Sequence, residues 1–242
     1  MYKLSLAHLY PKLLNISGDI GNIVTFKKRC EWQDIELEIT EINTKDEINV
    51  EKYDIYFIGG GEDTQQELVI KELSKYKESF ALLADKGTIF LGICGGYQLL
   101  GKYFENKNKE KIEGLGLLDI YTILGEKRFT GNVTTKSNID CISQFVGFEN
   151  HIGQTYLENT TKSLGTVSVG NGNNGKDKTE GARKNNVFGT YLHGAFLPKN
   201  IEFADYLIKL ALENKYKEKI DLENIDNSIE INTHNSLINK KY

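Results

Sequence analysis

The chain has 242 residues, 39% apolar and 26% charged, with a formal net charge of −4. Such a length and apolar content allow a buried core in one large domain and exclude global disorder. The slightly acidic balance argues against a general nucleic-acid binder, which carries a basic face.

Cys30, Cys94 and Cys141 are too few, and odd in number, for a disulfide framework. No Cys-x-x-Cys pair or histidine cluster marks a zinc site, so no metal is expected. Met1-Tyr2-Lys3-Leu4-Ser5 leads straight into a strand-like pattern, with no signal segment. No apolar run approaches the roughly 20 residues of a bilayer span. The expectation is a reduced, cytosolic protein that can still work beside a membrane.

In chain order, residues 2–9 alternate like a strand, 10–19 form a loop, and 20–32 suit a helix. Residues 35–43 alternate again. The apolar run 54–58 stops at Gly59-Gly60-Gly61, and a helix is expected over about 63–86. Residues 88–93 read as a buried strand ending at Cys94, followed by a helix over about 95–104. Strand alternating with helix predicts a mostly parallel sheet covered on both faces. The second half changes to strands at 116–124, 129–136, 144–148, 164–169 and 187–192, and 200–213 is an amphipathic helix. Two stretches look irregular. Residues 170–186, rich in Gly, Asn and charge, predict a mobile loop or hairpin tip. Residues 214–242 predict a weakly held, polar helical tail.

The segment Gly92-Ile93-Cys94-Gly95-Gly96 has the form Gly-x-nucleophile-x-Gly between a strand and a helix. A turn that sharp needs small neighbours and exposes the sulfur at the carboxyl edge of the sheet. Free N–H groups at the start of the following helix favour a thiolate and a developing oxyanion. Cys30 and Cys141 lack such surroundings. A thiol needs a base, and His193, which ends the strand 187–192, also falls at a carboxyl edge. His8 lies in the first strand and His234 in the polar tail. His151 fits a substrate contact and a structural role equally. Gly59-Gly60-Gly61 can let backbone approach a ligand and point N–H groups at an oxyanion, or can be a plain tight turn.

Four segments carry a family likeness: Leu9-Tyr10-Pro11 through Gly18-Asp19-Ile20-Gly21-Asn22; Tyr56 to Asp63; Gly92 to Gly101; and Gly189-Thr190-Tyr191-Leu192-His193-Gly194. In these the chain resembles class I, triad-type glutamine amidotransferases of the cobyric-acid-synthase-like branch. The likeness spans about residues 2–213.

The resemblance implies a three-layer, flavodoxin-like α/β fold and a glutaminase domain over 1–213, with 214–242 as an appendage. It implies Cys94 and His193 as the catalytic pair, with Arg128, Gly60, Gly61, Gly95 and Gln98 around bound glutamine. Arg128 would hold the α-carboxylate in a bidentate pair.

Because the chain has no ATP-binding domain of its own, it resembles most the free-standing amidases paired as heterodimers with a Mur ligase-like synthetase. Such a partner amidates the stem-peptide glutamate of lipid II to isoglutamine. No cofactor is then expected in this chain; ATP and Mg act on the partner. The rival readings are an amidase for a corrinoid or other acceptor, a stand-alone Cys-dependent γ-glutamyl hydrolase, and a non-catalytic binding module.

One departure stands out. Most class I members place Glu two residues after the catalytic histidine, whereas this chain has Ala195. The third triad member must come from elsewhere, and an acidic residue of the partner is one source.

Overall fold

The computed structural model describes residues 1–239. In chain order its elements are β1 (Lys3–Leu9), α1 (Ile20–Trp32), β2 (Glu36–Ile42), β3 (Ile55–Ile58), α2 (Asp63–Leu73), α3 (Lys77–Asp85), β4 (Ile89–Ile93) and α4 (Gly95–Leu100). There follow β5 (Tyr103–Glu105), β6 (Lys111–Glu113), β7 (Ile120–Ser137), β8 (Gln144–Leu157), β9 (Gly165–Val169), β10 (Thr179–Glu180), β11 (Ala182–Lys184), β12 (Val187–Thr190), α5 (Ile201–Tyr216) and α6 (Ser228–Asn239).

The first sheet has the order β11-β12-β4-β3-β1-β2 and is parallel except for β11 at its edge. Its central strands are apolar on both faces, as a sheet covered twice requires. Ile55, Phe57, Ile89, Leu91 and Ile93 join Phe26 of α1 and Phe203 and Leu207 of α5 in one core. Tyr56, Ile58 and Phe90 join Val69 and Leu73 of α2, Phe80 of α3 and Leu99 of α4 in the other. This is the three-layer arrangement expected from the strand–helix alternation.

The second half builds a separate sheet, ordered β10-β9-β7-β5-β6 with β8 also paired to β7. The strands expected at 116–124 and 129–136 are one long strand, β7, interrupted by a bulge between Leu124 and Phe129. Against β8 it forms an arch over the carboxyl edge of the first sheet, and Phe148 of β8 bridges to His193.

Three expectations are corrected. The helix over 63–86 is two helices, separated by a single tighter turn at Ser74–Tyr76, where the Ser74 hydroxyl bonds back to the Lys71 carbonyl. The helix over 95–104 stops at Leu100, because Gly101 turns extended and Tyr103–Glu105 pairs as β5.

The expected mobile loop 170–186 is a packed wall. Asn173 and Asn174 are buried, and the buried Glu149 carboxylate accepts from the Asn171 and Gly172 N–H groups. Asn173 donates to Thr179 Oγ1 at 3.0 Å and to the Gly181 carbonyl at 2.9 Å, and accepts from the Gly181 N–H at 3.0 Å. The polar side chains face inward to satisfy backbone groups, so polarity here does not mean exposure. At the C-terminus, α5 runs to Tyr216 and α6 packs against β8 and the turn 197–199. Of the tail 214–242, residues 240–242 lie outside the described residues.

Asn173→Ala should destabilise the fold by about 1–3 kcal/mol, because it leaves buried partners unsatisfied. Urea unfolding checks this; a change within about 0.5 kcal/mol, as at a solvated loop, would contradict the packed-wall reading.

Candidate active site

The carboxyl ends of β3, β4 and β12 lie side by side, and the loops that leave them converge. Cys94 follows β4 with φ 50° and ψ −104°, a backbone conformation rarely held by a side-chain-bearing residue. The glycines around it are set by contact. A Cβ on Gly96 would lie 2.2 Å from the Ile58 carbonyl oxygen, and one on Gly92 2.7 Å from Gly96 backbone. The Cys94 N–H donates to the Thr190 carbonyl at 2.8 Å, tying the turn to β12. The sequence-predicted elbow is therefore present, with its sulfur partly exposed.

His193 is 2% exposed, and its N–H donates to the Phe148 carbonyl at 2.8 Å. Gly60 is the meeting point: a Cβ there would lie 3.1 Å from His193 Cε1, 3.2 Å from Asp19 Oδ2 and 3.4 Å from Cys94 Cβ.

Asp19, to which the sequence reading gave no role, is the carboxylate that lies beside this histidine. It is fully buried, accepts from the Gly60 N–H at 2.6 Å, and sets Oδ1 3.8 Å from His193 Nδ1. That spacing is an ion-pair distance, too long for a hydrogen bond; catalytic contacts commonly tighten only on binding. Asp19 stands at the N-cap of α1 and its side chain makes no capping bond, while Asn15 Oδ1 accepts from the Ile20 N–H at 2.7 Å. The carboxylate is turned to the Gly60 N–H and the imidazole instead.

The same packing explains Ala195. A Cβ on Gly21 would lie 2.7 Å from the Ala195 Cβ, so the first turn of α1 occupies the space beside residue 195. A carboxylate of this chain, at the start of α1, therefore stands beside the imidazole within 4 Å.

Burial disfavours the His193 cation. The Cys94 sulfur and the Asp19 carboxylate outweigh that and hold its pKa up at about 10.

The sulfur opens into a cleft of about 380 Å³ lined by Gly61, Gln66, Cys94, Gln98, Arg128, His151 and His193 among others. The N–H groups of Gly61 and Gly95 donate to no acceptor among the described residues, and a Gly95 Cβ would lie 2.9 Å from the Gly61 nitrogen. They form a donor pair beside the sulfur. The Gly60 N–H, expected to share that role, is spent on Asp19. Arg128 sits on the β7 bulge at the cleft rim, exposed, with Nη1 donating to Asn150 Oδ1 at 3.2 Å. Gln98 lines the wall, but its amide N–H donates to the Tyr191 hydroxyl at 3.0 Å, which in turn shares a 2.7 Å bond with Thr155 Oγ1.

His151 stacks on Tyr191 at 3.6 Å between ring centroids, and its Nδ1 donates to the Gly153 carbonyl at 2.7 Å. Burial pushes its pKa down to about 4, so it is a neutral wall residue. Cys30 is buried, with its thiol pushed up to about 12; Cys141 is exposed and outside the cleft. Among the described residues no three His, Cys, Asp or Glu side chains cluster as metal ligands, and no helix is long and apolar enough to cross a membrane.

Residues 5–201 match the CobB/CobQ-like glutamine amidotransferase domain. The chain is 42% identical over 240 residues to the lipid II isoglutaminyl synthase (glutamine-hydrolyzing) subunit GatD of Staphylococcus aureus, covering 99% of this chain and 97% of that protein. It is 39% identical over 222 residues to the subunit of the same name from Streptococcus pneumoniae, covering 91% and 85%. In fold it is similar to a glutamine amidotransferase of Thermotoga maritima, with a TM-score of 0.56 at 15% identity over 98% of this chain and 91% of that one.

Cys94→Ala removes the larger of the two contributions that favour the imidazolium, so the His193 pKa should fall from about 10. The sign carries to stability. A pKa raised above the ordinary 6.5 stabilises the fold fully below that value, and the gain is lost as pH rises towards about 10. The variant should narrow that window. Histidine NMR titration of both proteins checks this; an unmoved resonance would show that the sulfur and the ring are not coupled.

Proposed function

The chain belongs to the CobB/CobQ-like glutamine amidotransferase family, and on that premise we propose that it is the glutaminase subunit of a lipid II isoglutaminyl synthase, acting in the cytoplasm on glutamine. The observation that carries the reading is the convergence at Gly60 of the strained elbow cysteine, a buried histidine and a buried carboxylate, inside a cleft that also holds Arg128.

In this reading Arg128 holds the α-carboxylate of glutamine. The Cys94 sulfur attacks the side-chain amide carbon, and the Gly61 and Gly95 N–H groups take up the charge on the oxygen. His193 gives its proton to the amide nitrogen, the C–N bond breaks, ammonia leaves, and the acyl carbon stays on Cys94 as a thioester. Water, losing a proton to His193, then cleaves the thioester to glutamate. Asp19 supports the imidazolium through both steps.

Gln98 acts through Tyr191 by bracing the cleft wall. The ammonia passes to a Mur ligase-like synthetase, where ATP and Mg activate the stem-peptide carboxylate. Ammonia is mostly protonated in neutral water, which favours an enclosed route between the subunits. The near full-length likeness to subunits named for this synthase supports the assignment of acceptor and partner.

Glutamine hydrolysis by the purified chain, with and without the co-expressed synthetase, tests the reading. Activity should rise with the partner and vanish in Cys94→Ser. Survival of activity in that variant would remove the mechanism, and full activity without any partner would favour a stand-alone hydrolase. Asp19→Asn should lower kcat about 100-fold or more with little change in KM. An unaffected kcat in the complex would mean that the third group comes from the partner.

A further inference from the structure

The reaction leaves one cation unexplained. Lys199 follows His193 by six residues, in the turn before α5, and burial pushes its pKa down. Among the described residues no carboxylate pairs with it. Its Nζ donates to the His193 carbonyl at 3.1 Å and to the adjacent Gly194 carbonyl. Gly194 has φ +75°, and a Cβ there would lie 3.0 Å from Lys199 Nζ. The ammonium therefore occupies the concave side of the turn that leaves the histidine.

Lys199 is itself held from outside the catalytic domain. His234 of α6 bonds the Lys199 carbonyl through Nδ1 at 2.6 Å. On the opposite side of this segment, Asn200 Nδ2 donates to the Val146 and Phe196 carbonyls, each at 2.8 Å. A carbonyl that accepts from an ammonium is bound more strongly than one that accepts from a neutral donor. Two adjacent carbonyls sharing one ammonium fix the orientation of the peptide between His193 and Gly194. That peptide sets the direction in which the imidazole leaves the chain. On the strand side, the bond from the His193 N–H to Phe148 holds it as well.

We propose that Lys199, braced by the C-terminal helix through His234, is a positioning residue that aims the His193 ring at Cys94 and Asp19. This rests on His193 being the base of the glutaminase, and it gives the C-terminal helix a part in catalysis although no residue of α6 lines the cleft.

The sign of one measurement separates positioning from simple charge. Removing a nearby cation would by itself favour the imidazolium and raise the His193 pKa. Letting the ring drift from Cys94 and Asp19, with burial unrelieved, lowers it. The other titratable groups near the ring, Cys94, Asp19 and His151, are unaltered in the variants used.

The experiment compares wild type, Lys199→Met, Lys199→Arg and His234→Phe as full chains. The His193 pKa is read by histidine NMR, and glutamine hydrolysis is read in the complex with the synthetase. Lys199→Met should lower kcat roughly 10- to 100-fold with KM within about 2-fold, as expected for a misaimed base, and lower the His193 pKa. Lys199→Arg should restore most of both. His234→Phe should move both in the same direction by less.

A raised or unmoved His193 pKa, or a normal kcat in a Lys199→Met protein that is merely less heat-stable, would overturn the proposal. A silent His234→Phe would remove the helix from it. If the wild-type complex does not hydrolyse glutamine, the glutaminase reading fails and the catalytic part of this proposal fails with it. The NMR titration still reports whether Lys199 aims the ring.

Discussion

The site depends on a lack of room at Gly60. Three side chains from three parts of the chain approach one backbone position closely enough that any Cβ would meet all of them. Asp19 comes from the start of α1, Cys94 from the turn after β4, and His193 from the end of β12. A side chain at residue 60 would push at least one of them away, and the carboxylate, imidazole and thiol would no longer form one electrostatic unit. The Gly60 N–H adds a second constraint, because it orients the carboxylate by donating to it.

The surrounding structure holds these three groups in place without touching the reaction. The elbow glycines let α4 pack against the end of β3, and Asn15 accepts from the first N–H of α1. The second sheet closes the site from above through the Phe148–His193 bridge and brings Arg128 to the rim on a bulge. Behind it, the segment 171–181 turns Asn173 and Asn174 inward, where their amides donate to the Gly181 and Thr155 carbonyls. A parallel sheet thus supplies the reactive edge, and an antiparallel arch supplies the walls.

Packing around residue 195 bears on where a carboxylate of this chain stands. In this chain residue 195 is alanine because the first turn of α1 presses against it. The helix that excludes a carboxylate there presents its own two residues earlier, at Asp19.

Much of this was legible from residue order. The apolar runs 54–58 and 88–93 signal strands buried on both faces, because such strands cannot alternate. The Gly-x-Cys-x-Gly turn announces an elbow, because no side-chain-bearing neighbours fit a bend so sharp. His193 is marked by its place at a strand end. These are local signals, and local sterics enforce them. The break at Ser74, the fusion of two expected strands into β7 and the burial of 171–181 were not legible, because each depends on a partner distant in sequence. Asp19 is the clearest case. It sits in a segment whose composition reads as a loop, and only the folded chain brings it to the Gly60 N–H and the imidazole. The sequence by itself determined the elbow cysteine, the strand-end histidine and the sheet that presents them, since those follow from short-range backbone geometry. The tertiary structure alone decided which carboxylate of this chain lies beside the imidazole, which glycine N–H groups remain free, and what holds the histidine, since each is a matter of distance between residues far apart in the chain.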